Sequence, residues 1–254
     1  HLARILCVGL PAMFLGVFFV YPVVSILGLG LSDGGIKHLT GLPANATFRA
    51  IAWFTLWQAV ASTVLAVVMA LPAAHLIARR NFSGRRLLRA ATTVPFVLPT
   101  VVVGGAFLVL FARFGLNGGP VRLTHTVWAV LIAHVFFNVA VVVRTVGSFW
   151  EGMDPAVEEQ ARVLGASQLR TFGLVTLPRL WPAIASAASI VFLFCLTSFG
   201  VILLLGGPGI ATLETEIWRH AVWRGDFRAA TALAIVQLVA VIAVVAVSNR
   251  LQHR

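Results

Sequence analysis

The residues of this chain whose types and spacing indicate contact with a partner lie between 154 and 180, a polar stretch between long apolar runs. This stretch carries two adjacent carboxylates, Glu158 and Glu159, and then Gly165. An acidic pair on a short amphipathic segment suits docking on the water side of a membrane, and no nucleophile or metal-ligand cluster accompanies it. We therefore interpret the stretch as a docking element and not as a catalytic one.

The stretch predicts a short helix with a defined start and end. Asp154 is a favourable N-cap, and Pro155 suits the first helical position, where its missing N–H costs nothing. The two glutamates lie in the early turns, where the helix dipole favours negative charge. Gly165 permits the left-handed residue that ends such a helix. The apolar stripe of this helix consists of Val157, Ala161 and Leu164.

A second short helix is predicted after the glycine, with Ser167 as its cap. We expect Pro178 and Pro182 to break the chain ahead of the next apolar run. Two interpretations of the 147–180 loop stay open: it docks a partner, or it is an interfacial helix that only anchors to the membrane. The short stripe and the paired glutamates, which would face anionic lipid, favour docking.

Polar side chains inside the apolar runs form a second set of candidates. His134 and Asn138 are four residues apart and therefore share a helical face. Thr197 and Ser198 interrupt a later run. These four residues, and His75, either line a polar path for a substrate or make the hydrogen bonds that hold a helical bundle together.

The residue inventory argues against an enzyme. The only lysine is Lys37, so no P-loop exists, and no Gly-x-Ser-x-Gly elbow or carboxylate accompanies an intramembrane histidine. Cys7 and Cys195 lie in apolar runs and are predicted to pack without binding metal. All acidic residues fall outside the apolar runs, which excludes most ion-coupled carriers and intramembrane aspartyl proteases. They are Asp33, Glu151, Asp154, Glu158, Glu159, Glu214, Glu216 and Asp226.

The elements that position these residues are membrane spans. The chain is 59% hydrophobic and 11% charged, and its apolar runs have the length that crosses a bilayer. We predict an all-α membrane protein with six transmembrane helices. They lie at about 5–28, 51–78, 91–113, 124–146, 181–205 and 229–249, and Pro95, Pro99 and Gly104–Gly105 allow the third to bend.

The basic residues are distributed unevenly between alternate loops. Of nineteen Lys and Arg, twelve lie in the loop after the second span, in or beside the 147–180 loop, and at the termini with Arg4, Arg250 and Arg254. The positive-inside rule therefore predicts that both termini and the 147–180 loop are cytoplasmic. The basic excess also suits membrane lipid headgroups, and no aromatic-interleaved basic stripe indicates nucleic-acid binding.

The run Glu159-x-Ala161-x3-Gly165, with Pro178 thirteen residues later, resembles the EAA motif of binding-protein-dependent ABC importer permeases. Gln160 stands where this family usually has alanine. The segment 94–100 is similar to the same position in this permease group. The segments 192–200, 205–208 and 212–217 are similar to the first half of thiamine-type permeases, which are relatives of the ferric-iron and polyamine permeases.

The resemblance implies a type I ABC importer permease fold over a single domain, 1–254, either a complete subunit or half of a tandem permease. It implies that the helix ending at Gly165 is a coupling helix, with Glu158, Glu159, Ala161, Leu164, Gly165 and Ala166 contacting the ATPase. It further implies two ATPase subunits, which bind the ATP-Mg that this chain does not hold. The other implied partners are an external substrate-binding protein and a second permease half in a bacterial inner membrane.

Thiamine is the substrate that the resemblance favours, with ferric iron or a polyamine as the alternative. A different class also stays open, a passive channel or scaffold outside the ABC importers. A selective channel would be expected to carry a polar or charged ring, which the sequence does not indicate.

Overall fold

The computed structural model describes residues 2–31, 35–118 and 122–252, and within these ranges the chain forms helices and no strands. Predictions that concern Asp33, Arg254 and the side chains of Arg4 and Cys7 lie outside the described part. The α-helices are α1 (Leu2–Leu15), α2 (Tyr21–Leu31), α3 (Gly35–Gly41), α4 (Ala46–Arg79), α5 (Arg85–Val97), α6 (Thr100–Arg113), α7 (Val127–Glu151), α8 (Ala156–Val163), α9 (Gln168–Thr171), α10 (Leu177–Leu196), α11 (Leu213–Trp218) and α12 (Phe227–Gln252).

Five helical runs in the described residues are long and apolar enough to cross a membrane, and a bent pair makes up to six. The five runs are Val8–Gly28, Ala46–Arg79, Val127–Glu151, Gln168–Leu196 and Phe227–Arg250. They coincide with five of the six predicted spans, with ends that differ by several residues. The all-helical membrane fold expected from the sequence is confirmed.

The third predicted span is a bent pair of helices. Its two parts, α5 and α6, meet at an angle of 105°. Leu98 between them is extended, with φ −74° and ψ 140°, as expected for a residue that precedes a proline. Pro99, which has no N–H to continue the helical hydrogen bonds, then starts α6. The predicted bend is confirmed, and Pro95 lies inside α5 without breaking it.

The break predicted at Pro178 and Pro182 is wrong. Helical structure continues from Gln168 to Leu196, and Pro178 lies in the first turn of α10. A π-helical turn at Phe172–Thr176 precedes this proline and takes up the changed backbone hydrogen bonding without ending the helix. This run, which corresponds to the fifth predicted span, ends at Leu196 with Thr197 as its C-cap, and this confirms the interruption predicted there.

The chain divides into two compact units, residues 1–52 with 213–239 and residues 53–212 with 240–254. The core of the second unit lies between α4, α7 and α10. Small residues bring these helices together: Ala59, Ala66 and Ala70 on α4 and Ala187 on α10 have no exposed surface. Small side chains let helix backbones approach closely in a membrane, which explains why alanines dominate this contact.

The other unit contains α11 and the following π-helical turn, Arg219–Trp223. Glu216 forms an ion pair with Arg219, and Gln237 donates a hydrogen bond to Glu214 at 3.4 Å. Trp223 and Phe227 are exposed, whereas Trp218 is half-buried and packs against Trp223 with ring centroids 5.1 Å apart.

Candidate functional site

The helix α8 has the start and end that its sequence predicts. Asp154 Oδ1 accepts a hydrogen bond from the Ala156 N–H at 2.9 Å. At the other end, Gly165 has φ +88°. The N–H of Gly165 donates to the Arg162 carbonyl at 2.9 Å, and that of Ala166 donates to the Ala161 carbonyl at 3.0 Å. This pair of bonds is a Schellman motif, which fixes the residue at which the chain leaves the helix.

An ion pair fastens α8 to the end of α4. Arg79 Nη2 donates to Glu158 Oε1 at 3.1 Å, and Arg79 Nη1 donates to the Met153 carbonyl at 2.9 Å. The side chains of Arg79 and Glu158 are only 14% and 10% exposed. Glu158, predicted to contact the ATPase, therefore turns its carboxylate toward its own chain. Arg79 was missed because the sequence does not show that it meets a residue so far along the chain.

A second link joins the end of α7 to α5. Glu151 accepts hydrogen bonds from Arg85 Nη2 at 2.5 Å and from Arg89 Nη2 at 3.0 Å. Arg85 also donates through Nε to the Ile77 carbonyl near the end of α4, at 2.8 Å. The first link fastens the loop to the end of α4, and the second fastens the end of α7 to α5.

The surface of α8 that faces away from Arg79 is open and partly apolar. Val163 and Leu164 are each 87% exposed, and Leu169 beyond the turn is 85% exposed. A shallow depression is lined by Ala156, Glu159, Gln160, Val163 and Leu164. Of the predicted docking residues, Glu159, Leu164 and Gly165 are exposed, and Ala161 and Ala166 are half-buried.

Two of these exposed apolar side chains, Val163 and Leu169, are not members of the apolar stripe predicted from the sequence. Val163 is the last residue of α8, and Leu169 follows the turn at Gly165. The helical periodicity that defines a stripe does not continue through such a turn. Apolar residues on both sides of a predicted C-cap glycine are the signal that would have found them.

The second set of candidates, inside the apolar runs, forms a hydrogen-bonded network between three helices. His134 on α7 is 2% exposed. Its Nδ1 lies 2.9 Å from Ser62 Oγ on α4, and its Nε2 lies 2.8 Å from Ser198 Oγ after α10. Thr197, in contrast, is exposed and donates to the Leu193 carbonyl at 2.9 Å. The structure therefore joins His134 with Ser198 and leaves Thr197 outside the network.

Asn138 and Gln58 extend this network. Asn138 Nδ2 donates to the His134 carbonyl at 2.8 Å, and Gln58 Nε2 donates to the Cys195 carbonyl at 2.8 Å. Cys195 is buried and unbonded to another cysteine. Sequence analysis missed Gln58 and Ser62, although two polar residues four apart in an apolar run indicate such a face. Hydrogen bonds between helices are what we expect if these residues hold the bundle together, the second of the two alternatives given for them.

Comparison with known proteins identifies the family of this chain. Residues 64–254 match the family described as "Binding-protein-dependent transport system inner membrane component". The chain belongs to this family. As a permease component it is not itself an enzyme, which confirms the expectation from the sequence.

Curated permeases are similar over most of the chain. A thiamine transport system permease from Brucella abortus (strain 2308) is 33% identical over 84% of this chain and 41% of its own length. A sulfate transport system permease from Salmonella typhimurium is 31% identical over 98% of this chain and 92% of its own length. The chain thus spans about two fifths of the length of the thiamine permeases it matches.

Solved structures confirm the permease fold. A chain of a bacterial ABC transporter that imports the acidic polysaccharide alginate superposes with a TM-score of 0.75 at 19% identity. That match covers 100% of this chain and 95% of the other. The inward-facing methionine transporter MetNI matches with a TM-score of 0.61 over 82% of this chain.

Proposed function

We propose that this permease chain, as a single transmembrane domain, pairs with a second permease half and moves a solute through the inner membrane when two ATPase subunits hydrolyse ATP. The observation that carries the proposal is α8 itself. It is capped at both ends, fastened to α4 by Arg79, and presents exposed Val163 and Leu164 outward. A short rigid helix with an apolar tip suits insertion into a groove of a partner protein.

The internal links give this docking a mechanical route. A displacement of α8 reaches α4 through the ion pair between Glu158 and Arg79, since that pair is largely shielded from water. The Glu151 bonds carry the same displacement to α5 and α7. Closure of the ATPase pair then moves these helices together, so that the path between the two halves opens alternately to each side.

In this function Glu159, Leu164 and Gly165 contact the ATPase or shape the contact, and Ala161 and Ala166 support it. Glu158 acts through Arg79. The loop and both termini are cytoplasmic, following the positive-inside distribution. His134, Asn138 and Ser198 hold α4, α7 and α10 in register, with Thr197 closer to the path. A substrate-binding protein delivers the solute to the opposite face.

Thiamine is the first substrate that we propose, because the family resemblance and the Brucella permease both favour it. Sulfate is the second candidate, since the similar sulfate permease matches this chain over 92% of its own length. Ferric iron and polyamines rest on the family resemblance alone.

The test is transport by the complex of this chain, its second half and the ATPase in proteoliposomes, with binding proteins loaded with thiamine or sulfate. Stimulation of ATP hydrolysis by one loaded binding protein identifies the substrate. Failure of the ATPase to associate in any arm contradicts the proposal and returns the chain to the channel or scaffold class.

Gly165→Arg tests the coupling helix within that complex. It puts a branched, charged residue at φ +88°, so we expect transport to fall at least tenfold while membrane insertion stays intact. Gly84→Arg is the matched control, because Gly84 has φ +99° and a Cβ added at either glycine would meet no atom within 4 Å. Equal transport by the two variants would refute the coupling role of α8.

A further inference from the structure

A cavity of about 600 Å³ lies on the inner side of α8 and shares Glu159 with the shallow depression of the proposed docking surface. Its walls come from the end of α4, the end of α7, the start of α8 and the π-helical turn Phe172–Thr176. One wall is apolar, with Val68, Leu71 and Pro72 of α4 and Phe172 opposite. The other carries the polar lining residues His75, Arg79, Arg80, Trp150, Glu158, Glu159, Arg162, Gln168, Thr171 and Thr176.

Four buried polar atoms of these lining residues have no hydrogen-bond partner among the described residues. They are His75 Nδ1, Arg79 Nε, Trp150 Nε1 and Thr171 Oγ1. Trp150 and Thr171 are each only 2% exposed. The indole and guanidinium nitrogens only donate, so the missing partner is an acceptor. Such donors are costly when left unsatisfied, and their clustering at one cavity indicates a bound ligand with acceptor oxygens.

The charges of the lining identify the ligand as an anion. Glu158 is paired with Arg79, which leaves Glu159 as the other acidic residue of the lining. Arg80 and Arg162 form no ion pair within the described ranges. Arginine and indole donors around a cavity suit phosphate oxygens, which accept several charge-assisted hydrogen bonds at once.

The apolar wall of the cavity suits a ligand that also has an apolar part, which a simple anion lacks. Val68 is exposed, so the apolar wall continues from the cavity onto the surface of α4, within a run long and apolar enough to cross a membrane. We propose that the cavity binds a phosphate-bearing anion, with its phosphate at Arg80, Arg162 and Trp150. The wall of Val68 and Leu71 favours the headgroup of an anionic phospholipid over free phosphate. The ligand proposed for this site is neither the transported solute nor the ATPase subunit.

The experiment uses the full chain in nanodiscs of phosphatidylcholine, titrated in one arm with phosphatidylglycerol and in the other with inorganic phosphate. Native mass spectrometry counts bound lipid, and the thermal midpoint reports stabilisation. The test variant is Arg80→Gln with Arg162→Gln. The matched control is Arg86→Gln with Arg170→Gln, which removes the same charge from exposed positions outside the lining.

We expect phosphatidylglycerol to bind and raise the midpoint of the natural and control chains, and to bind at least tenfold more weakly to the test variant. Trp150→Phe, which keeps the ring and removes the donor, should weaken binding in the same direction. An equal response to inorganic phosphate supports the site and assigns it to a soluble anion. Equal lipid binding by test and control variants overturns the proposal. A thermal midpoint that responds to the ATPase subunit but to neither anion also overturns the proposal.

Discussion

The same substitution at the adjacent residues Glu158 and Glu159 should affect different properties, stability at Glu158 and transport at Glu159. Glu158→Gln removes the charge that pairs with Arg79, and we expect it to destabilise the chain. Glu159→Gln changes an exposed carboxylate that forms no ion pair in the described residues. We expect it to leave stability unchanged and to weaken ATPase-driven transport.

The magnitude follows from the burial of the pair. Removing one member of a buried ion pair costs about 3–5 kcal/mol, whereas exposed pairs contribute about 0–1 kcal/mol. Side chains that are 14% and 10% exposed lie near the buried limit. Because the glutamine amide still accepts a hydrogen bond from Arg79, we expect a loss of about 2–3 kcal/mol. In a chain of this length that lowers the thermal midpoint by about 4–12 °C.

The assay is the thermal midpoint of both variants in the same nanodiscs, followed by tryptophan fluorescence. The double variant Arg79→Gln with Glu158→Gln should recover part of the loss, because no buried charge is then left without a partner. Equal midpoints for Glu158→Gln and Glu159→Gln would refute the inference that the Arg79 pair holds α8 in place.

Three further predictions concern other parts of the chain, each measured by the thermal midpoint. A Cβ at Gly104 would lie 2.9 Å from the Leu204 side chain, whereas one at Gly105 meets nothing within 4 Å. Gly104→Ala should therefore lower the midpoint, and Gly105→Ala should raise stability by about 0.5–1 kcal/mol through helix propensity; equal shifts would contradict the contact. His134→Phe removes the hydrogen bonds to Ser62 and Ser198 and should cost about 1–3 kcal/mol, whereas no loss would count against the network. Burial raises the pKa of Glu214 above 4.5, although a hydrogen bond from an amide opposes the shift. The folded state then binds the proton more tightly, so stability falls as the pH rises above about 4.5, and Glu214→Gln should flatten that fall.

Local chemistry in the sequence predicted most of the helix α8. Asp154 and Gly165 act through hydrogen bonds within a few residues, so their roles follow from residue type and spacing alone. The ion pair of Glu158 was not predictable in this way, since Arg79 lies in an earlier helix and the contact depends on how α4 and α8 pack. Helix packing brings together residues that no local pattern relates.

The prolines show the same difference between what local chemistry predicts and what depends on packing. Pro99 follows an extended residue and ends a helix, as its missing N–H predicts. Pro178 and Pro182 have the same chemistry, yet the helix continues through both: a π-helical turn precedes Pro178, and Pro182 lies inside α10 without ending it. Residue type predicts that the hydrogen bonding must change, and only the packed structure determines whether the helix ends or widens.

The bend between α5 and α6 also determines how lipid meets this part of the chain. The 14 residues of α6 rise about 21 Å, which is less than the hydrocarbon thickness of about 30 Å. An α5 at 105° to a crossing α6 runs close to the plane of the bilayer. Where lipid contacts α6, we expect the bilayer to thin by several ångströms, with Arg113 at the end of the helix within reach of the headgroups. The bend would then set a local depression in the surrounding bilayer.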